Sequence, residues 1–182
     1  MVKNCLLLGT KITLSDNTTK NIEDLTLEDE IITFKFNNIK HTQNKNYLLN
    51  NKFTNFSGVL SKSKIKNIWT NKINNYYTIN NNLFVTGDHI IFVKRNNNYF
   101  WTEINKVELN DFFYTLKHKF EKIEHIDIIN KNSKVFSIEV NNYFNYFAND
   151  YLIHNKGGGC GSCTGECDGS GGGGGGSGCV IS

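Results

Sequence analysis

Short runs of β-branched and aromatic residues, separated by polar clusters, recur along the first 155 residues of the chain. Such runs are typical of β-strands bounded by turns. They predict strands at residues 11–14, 30–36, 76–79, 83–85, 89–93 and 135–140. Asparagine and aspartate at 15–18 and 140–143 predict hairpin turns, because both side chains tolerate left-handed backbone. No stretch shows a clear helical period, residues 107–119 coming nearest, so we expect an all-β domain of many short strands.

Glycine divides the chain into two unequal parts. Thirteen of its 16 glycines follow Lys156, and only Val180 and Ile181 are large apolar residues in that segment. Such a segment cannot bury enough surface to offset its backbone entropy. We therefore expect a short flank at residues 1–4, a folded domain at 5–155 and a disordered tail rich in glycine and cysteine at 156–182.

Composition narrows the range of functions. The chain of 182 residues is 38% hydrophobic and 13% aromatic, which is enough for a packed core. A formal charge of +3 is too small to indicate nucleic-acid binding, and the lysines of 62–72 are interpreted as a solvated face. There is no apolar run long enough to span a bilayer, and the apolar start is too short for a secretory signal. We expect a cytoplasmic protein with no cofactor and no metal site.

The sequence His154-Asn155-Lys156 can support peptide cleavage. An asparagine amide can attack its own backbone carbonyl, close a succinimide and expel the amine of the next residue. A neighbouring histidine can donate a proton to that carbonyl or to the departing nitrogen. Since asparagine is so frequent in this chain, the dipeptide alone would carry no weight.

Cys5 is the one cysteine outside the tail. A cysteine can attack the carbonyl before it, here that of Asn4, and convert the peptide bond into a thioester. It can equally be a small buried apolar residue. The segment Thr86-Gly-Asp-His89 falls on a turn between two predicted strands, where Thr86 and His89 can both face one peptide bond.

In their order and spacing these segments resemble the Hint domain, the fold shared by inteins, bacterial intein-like domains and hedgehog autoprocessing domains. The residues that carry the resemblance are 5–34, 83–89, 101–111 and 135–155. The stretch between 119 and 130 is too short for a homing endonuclease, so the resemblance implies a minimal form. It also implies an all-β horseshoe that brings the two ends of the domain together.

The resemblance implies a role for each candidate residue. Cys5 would be the nucleophile, Thr86 and His89 would activate the peptide bond before it, and His154 would assist cyclisation of Asn155. The substrates would be the protein's own flanking peptide bonds, in a single turnover.

Three residues depart from the family pattern. Lys156 stands where splicing needs an acceptor cysteine, serine or threonine, and Ser137 and Phe144 stand where the family often has aspartate and histidine. These departures favour one-sided cleavage over splicing. They also keep open a degenerate, inactive Hint domain that serves as a lipid-anchored binding module.

The tail ends Cys179-Val-Ile-Ser182, which fits a farnesylation signal. A prenyltransferase and a membrane surface are therefore candidate partners, with palmitate on Cys160, Cys163 or Cys167 as the second anchor. These thiols can also be incidental, and their spacing lacks a fourth ligand for a metal. An adaptor whose β domain binds a protein partner is a further alternative.

Overall fold

Short antiparallel strands make up most of the fold. The computed structural model describes residues 4–155. In chain order the strands are β1 (Leu6–Leu7), β2 (Lys11–Thr13), β3 (Thr19–Asn21), β4 (Glu30–Phe36), β5 (Lys52–Phe53), β6 (Gly58–Ile79), β7 (Leu83–Val85), β8 (Ile90–Arg95), β9 (Asn98–Glu103), β10 (Phe112–Tyr114), β11 (Phe120–Lys122), β12 (Ile126–Val140), β13 (Asn145–Ala148) and β14 (Tyr151–His154). One α-helix, α1 (Lys45–Asn50), and two 3-10 turns, Ile22–Asp24 and Ile104–Lys106, complete the described elements.

The first sheet holds the start of the domain in its middle. Its strand order is β12-β1-β7-β6-β4, and β12 also pairs with β6. The short strand β1 lies between two partners, with Leu6 opposite Phe136 on one side and opposite Val85 on the other. Cys5 is thereby drawn into the interior, directly before a strand that is paired on both sides.

The second sheet holds the end of the domain in its middle. Its order is β11-β10-β8-β14-β13-β2-β3; β9 joins it by pairing with β8, and β5 pairs with β9. Every residue of β13 and β14 is buried, as are the first four of β8. The final strand therefore delivers His154 and Asn155 to the interior.

Two apolar clusters fill the domain. The larger contains aliphatic residues of both sheets, among them Leu6, Val85, Ile138 and Ile153. The smaller is aromatic, and its rings meet edge to face, for example Phe34 with Tyr114 at 5.4 Å between centroids. Such contacts add stabilisation beyond the area that they bury.

The expected strands are present, and residues 107–119 form no helix, in keeping with the weak helical period there, because β10 lies within them. One local expectation was wrong. The turn at 140–143 is no hairpin, because β12 and β13 lie in different sheets. The turn at 15–18 does join the paired strands β2 and β3.

The lysine-containing segment 62–72 lies within β6, which is 22 residues long. Most of its side chains there are exposed or half-buried. Elsewhere, Asn44 caps the start of helix α1, and its Oδ1 accepts the Tyr47 N–H at 3.0 Å. No helix within residues 4–155 is both long and apolar enough to cross a membrane.

Asparagine supplies most of the left-handed backbone. Within residues 4–155, twelve residues other than glycine have positive φ, and eight of these are asparagine. Asparagine tolerates this region better than other residues with a Cβ. The turns of this domain therefore need few glycines.

Candidate functional site

The bond between Asn4 and Cys5 is held by the turn that follows β7. Cys5 is fully buried, and its amide N–H donates to Thr86 Oγ1 at 2.9 Å. The Thr86 N–H in turn donates to the Cys5 carbonyl oxygen at 2.9 Å. The Asn4 N–H donates to Asp88 Oδ1 at 3.1 Å. Both amide groups that flank the Asn4 carbonyl are thus fixed by one turn.

Packing holds this turn close to β6. A Cβ on Gly87 would come within 2.6 Å of the Tyr77 ring, so a glycine is needed there for the close approach. The His89 N–H donates to the Thr86 carbonyl at 3.1 Å and closes the turn. Thr86 and His89 are therefore presented on the same side, toward Cys5.

His89 is a buried and neutral histidine. Burial lowers its pKa to about 4 and repulsion from His154 adds to this, whereas the Asp88 carboxylate and the nearby carbonyl groups of His154 and Cys5 oppose it. Within residues 4–155 neither ring nitrogen makes a hydrogen bond. A buried imidazole without partners is able to accept or to donate a proton locally.

His154 contacts the carbonyl group of the bond that follows Asn155. Its Nδ1 lies 2.9 Å from the Asn155 carbonyl oxygen, and its Nε2 lies 2.9 Å from the carbonyl oxygen of Thr42. The ring packs edge-on against Trp101 with centroids 5.3 Å apart. Burial lowers the pKa of His154 to about 4, although both carbonyl groups favour the protonated ring. A neutral imidazole has one N–H, so only the protonated ring can donate to both oxygens.

Asn155 is buried and its amide groups are all held. Its backbone N–H donates to the Phe144 carbonyl at 2.9 Å. In the orientation that satisfies its carboxamide, Nδ2 donates to the same carbonyl at 3.1 Å and Oδ1 accepts the Val140 N–H at 3.1 Å. These contacts fix the carboxamide whose nitrogen would be the nucleophile in a cyclisation.

The turn that holds Asn155 is itself held by Asn145. Tyr143 and Phe144 both have positive φ, which costs energy for aromatic residues. Asn145 Oδ1 accepts the Phe34 N–H at 2.7 Å, and its Nδ2 donates to the carbonyl groups of Phe34 and Tyr143, both at 2.9 Å. These three bonds keep the Phe144 carbonyl facing Asn155.

The structure brings together all five residues that the sequence put forward: Cys5, Thr86, His89, His154 and Asn155. His89 lies between the contacts around Cys5 and those around Asn155, since its ring lies beside the backbone of both Cys5 and His154. All five are buried. Lys156, Cys160, Cys163, Cys167 and Cys179 lie outside the described residues, so the predictions for the tail stay predictions.

Several residues of the site were missed or undervalued from the sequence. Extending the pairing of Leu6 with Phe136 by one residue places Ser137 opposite Cys5. Within residues 4–155, Ser137 Oγ and the Tyr146 hydroxyl are buried without a hydrogen-bond partner. Burial raises the pKa of Tyr146, and the nearby Cys5 thiol adds to this. The strand pattern of β13 gave no signal for Tyr146.

A cleft opens beside the Thr86 turn. Its volume is about 1000 Å³, and its walls include Lys72, Tyr77, Thr86, Asp88, Asn105 and Lys134. The turn that holds the Asn4–Cys5 bond therefore borders a space that small molecules can enter.

The other described histidines have separate contacts. His41 Nε2 lies 3.0 Å from the Phe36 carbonyl, and His118 Nδ1 lies 2.7 Å from the Tyr114 hydroxyl. No group of three or more potential metal ligands is found within residues 4–155.

Solved structures with a similar fold include inteins and a bacterial intein-like domain. The solution structure of a bacterial intein-like domain from Clostridium thermocellum matches with a TM-score of 0.63 and 17% identity, over 85% of this chain and 100% of that one. The gp41-1 intein matches with a TM-score of 0.58 and 18% identity, over 85% of this chain and 100% of that one. A DnaB intein from Synechocystis sp. PCC 6803 matches with a TM-score of 0.57 and 16% identity, over 83% of this chain and 97% of that one.

No protein-family model and no curated protein sequence matches the chain. The structural likeness shows that the chain has the all-β Hint fold in its minimal form, as the sequence predicted.

Proposed function

We propose that this chain is a self-processing domain that cleaves its own flanking peptide bonds. In this proposal Cys5 converts the Asn4–Cys5 bond into a thioester, and Asn155 cyclises and releases the segment that begins at Lys156. The observation that carries the proposal is the contact of 2.9 Å between His154 Nδ1 and the carbonyl oxygen of Asn155.

At the start of the domain, Cys5 Sγ attacks the Asn4 carbonyl carbon and the carbon–nitrogen bond breaks. The thiol proton moves to the departing Cys5 nitrogen, and neutral His89 is the group that can carry it. Thr86 Oγ1 holds that nitrogen at 2.9 Å and so orients the reacting bond. Hydrolysis or an added thiol then releases the upstream segment.

At the end of the domain, Asn155 Nδ2 attacks its own backbone carbonyl carbon. The bond to the Lys156 nitrogen breaks, a proton from Nδ2 passes to that nitrogen, and a succinimide remains. A proton on His154 Nδ1 stabilises the negative charge that develops on the carbonyl oxygen. Donation is most effective when the ring is protonated, because Thr42 then no longer competes for its single N–H.

The sequence favours cleavage over splicing. Lys156 offers no hydroxyl or thiol to accept the upstream acyl group, so the two flanks cannot be joined in the ordinary way. Ser137 lies in the site where many relatives of this fold carry a carboxylate, which removes one proton carrier. The two cleavages are therefore expected to be independent of each other.

The test is the intact mass of the full chain, followed over days with and without an added thiol. Loss of residues 156–182, leaving succinimide or asparagine at the new end, supports cleavage by Asn155. Thiol-dependent loss of residues 1–4 supports the thioester. Cys5→Ala should abolish only the second event and Asn155→Ala only the first. An unchanged mass would refute the proposal and favour an inactive Hint domain that acts as a binding module.

A further inference from the structure

Residues 41–43, which lie between β4 and α1, cover the end of the domain. The carbonyl oxygen of Thr42 lies 2.9 Å from His154 Nε2, across the ring from the nitrogen that contacts the reacting carbonyl. The His41 ring packs edge-on against Tyr143, with centroids 4.9 Å apart. The space left beside the His154 ring is about 10 Å³, which admits no more than one water molecule. This 41–43 segment therefore contacts both the proposed proton donor and the turn that holds Asn155.

A buried carboxylate holds the 41–43 segment in place. Glu139 on β12 is 4% exposed, and its Oε1 accepts from Gln43 Nε2 at 3.4 Å. The same carboxylate accepts from Lys66 Nζ at 3.1 Å and from Asn67 Nδ2 at 2.7 Å, so its own position is fixed by β6. Since Gln43 directly follows Thr42, its contact with Glu139 limits where the Thr42 carbonyl can point.

The Thr42 carbonyl in turn fixes the direction of the His154 ring. A protonated ring has two N–H groups, and when Thr42 accepts the one on Nε2, the other points at the carbonyl oxygen of Asn155. Without the Thr42 carbonyl the ring could rotate about its side-chain bonds and carry Nδ1 away from that oxygen. Small misplacements of reacting groups slow reactions strongly.

We infer that Glu139 and Gln43 are positioning residues for the cleavage after Asn155. They hold the Thr42 carbonyl against His154 and so keep Nδ1 aimed at the reacting carbonyl. This inference rests on the proposed function, whose chemical step it leaves unchanged: the bond from Nδ2 to the carbonyl carbon forms, the bond to the following nitrogen breaks, and a proton passes from Nδ2 to that nitrogen.

The experiment exchanges the donor and the acceptor of the contact between residues 43 and 139. In Gln43→Glu two carboxylates face and repel each other, so the 41–43 segment should move and cleavage after Asn155 should slow about tenfold. Glu139→Gln keeps an acceptor oxygen for Gln43, so its rate should stay within about threefold of the parent chain. The double variant again places a donor opposite an acceptor, and it should also cleave within about threefold of the parent. Independent structural roles would instead make the double variant slower than either single variant.

Two controls separate this role from a general loss of structure. Thiol-dependent release of the upstream segment, measured in the same samples, should change by less than about twofold in all three variants. Asp29 is a matched carboxylate, half-buried and paired with Lys20 at 2.8 Å. Asp29→Ala should leave cleavage after Asn155 at the parent rate.

A second measurement follows the His154 ring in a chain that cannot react. In the Cys5→Ala, Asn155→Ala chain, position 155 keeps its backbone carbonyl, so the ring N–H should give a slowly exchanging proton NMR signal. Adding Gln43→Glu should speed this exchange about tenfold, and adding Glu139→Gln as well should restore the slow rate. Equal exchange in all these chains, or a Gln43→Glu chain that cleaves at the parent rate, overturns this inference alone. No cleavage after Asn155 in the unmodified chain overturns the proposed function together with it.

Discussion

Acidification from pH 7 to pH 5 should destabilise the fold through its two buried histidines. Burial lowers the pKa of both His89 and His154 to about 4. An unfolded histidine has a pKa near 6.5. Between these values the unfolded chain binds protons that the folded chain does not, so stability falls as the pH falls through this window. The loss levels off only below pH 4, where the folded chain also binds these protons.

The size of the effect follows from the two pKa values. At pH 5 each histidine is almost fully protonated in the unfolded chain and largely neutral in the folded one. Linkage then gives a loss of about 2 kcal/mol for each histidine relative to pH 7, and about 4 kcal/mol for the pair. For a urea slope of about 2 kcal/mol per molar, the midpoint should move down by about 2 M.

The carboxylates with shifted pKa values contribute little to the change in stability between pH 7 and pH 5. Burial pushes the pKa of Asp29, Glu103 and Glu139 upward, but their hydrogen bonds and lysine partners outweigh it and leave each pKa below its usual value. A carboxylate with a lowered pKa contributes stability that is lost mainly below about pH 5. Acid sensitivity between pH 7 and pH 5 is therefore assigned to His89 and His154.

The assay is urea unfolding followed by tryptophan fluorescence in the Cys5→Ala, Asn155→Ala chain, which stays intact. His89→Gln and His154→Gln should each remove about half of the pH dependence, whatever they do to stability at pH 7. A midpoint that is the same at pH 7 and pH 5 would refute the reasoning. So would a pH dependence that is as large in both glutamine variants as in the parent chain.

Three further predictions concern single contacts of the site. Thr86→Ala should slow thiol-dependent release of the upstream segment by about 10- to 100-fold, with Thr86→Ser retaining most of the rate, as followed by mass spectrometry. Cleavage after Asn155 should accelerate about tenfold from pH 7 to pH 6, because the protonated fraction of His154 rises by that factor, and His154→Gln should remove this dependence. Asn145→Ala should lower the free energy of unfolding in urea by about 3 kcal/mol, because it leaves backbone groups of β4 and the following turn unpaired.

Strand positions and chemical residues could be predicted from the sequence because both leave local signals. The run at 30–36 coincides with β4, and the Thr86 turn lies between β7 and β8 as expected. Only the end of β6, residues 76–79, was predicted, because the rest of this strand runs through a polar, lysine-containing stretch. It is held there by pairing with β4 and β12, which are distant in sequence.

The anchoring groups of the site had no sequence signal of their own. His154 contacts a carbonyl of Thr42, and Asn155 contacts a carbonyl of Phe144, and every residue has such a group. The left-handed backbone of Asn4 is likewise a property of the folded chain. Sequence could indicate which side chains react, but the contacts that orient them depend on tertiary structure.

The asparagines with left-handed backbone bear on the chemical degradation of this protein during storage. At Asn155 the side-chain nitrogen would attack the backbone, whereas in ordinary deamidation the backbone nitrogen of the next residue attacks the side chain. Deamidation is fastest before glycine, and none of the chain's asparagines precedes a glycine. The turns of this protein thus use asparagine for left-handed backbone, and none of these asparagines lies in the Asn-Gly sequence that deamidates fastest. Peptide mapping after long storage should find intact asparagine at the turns, even in samples in which Asn155 has closed its ring.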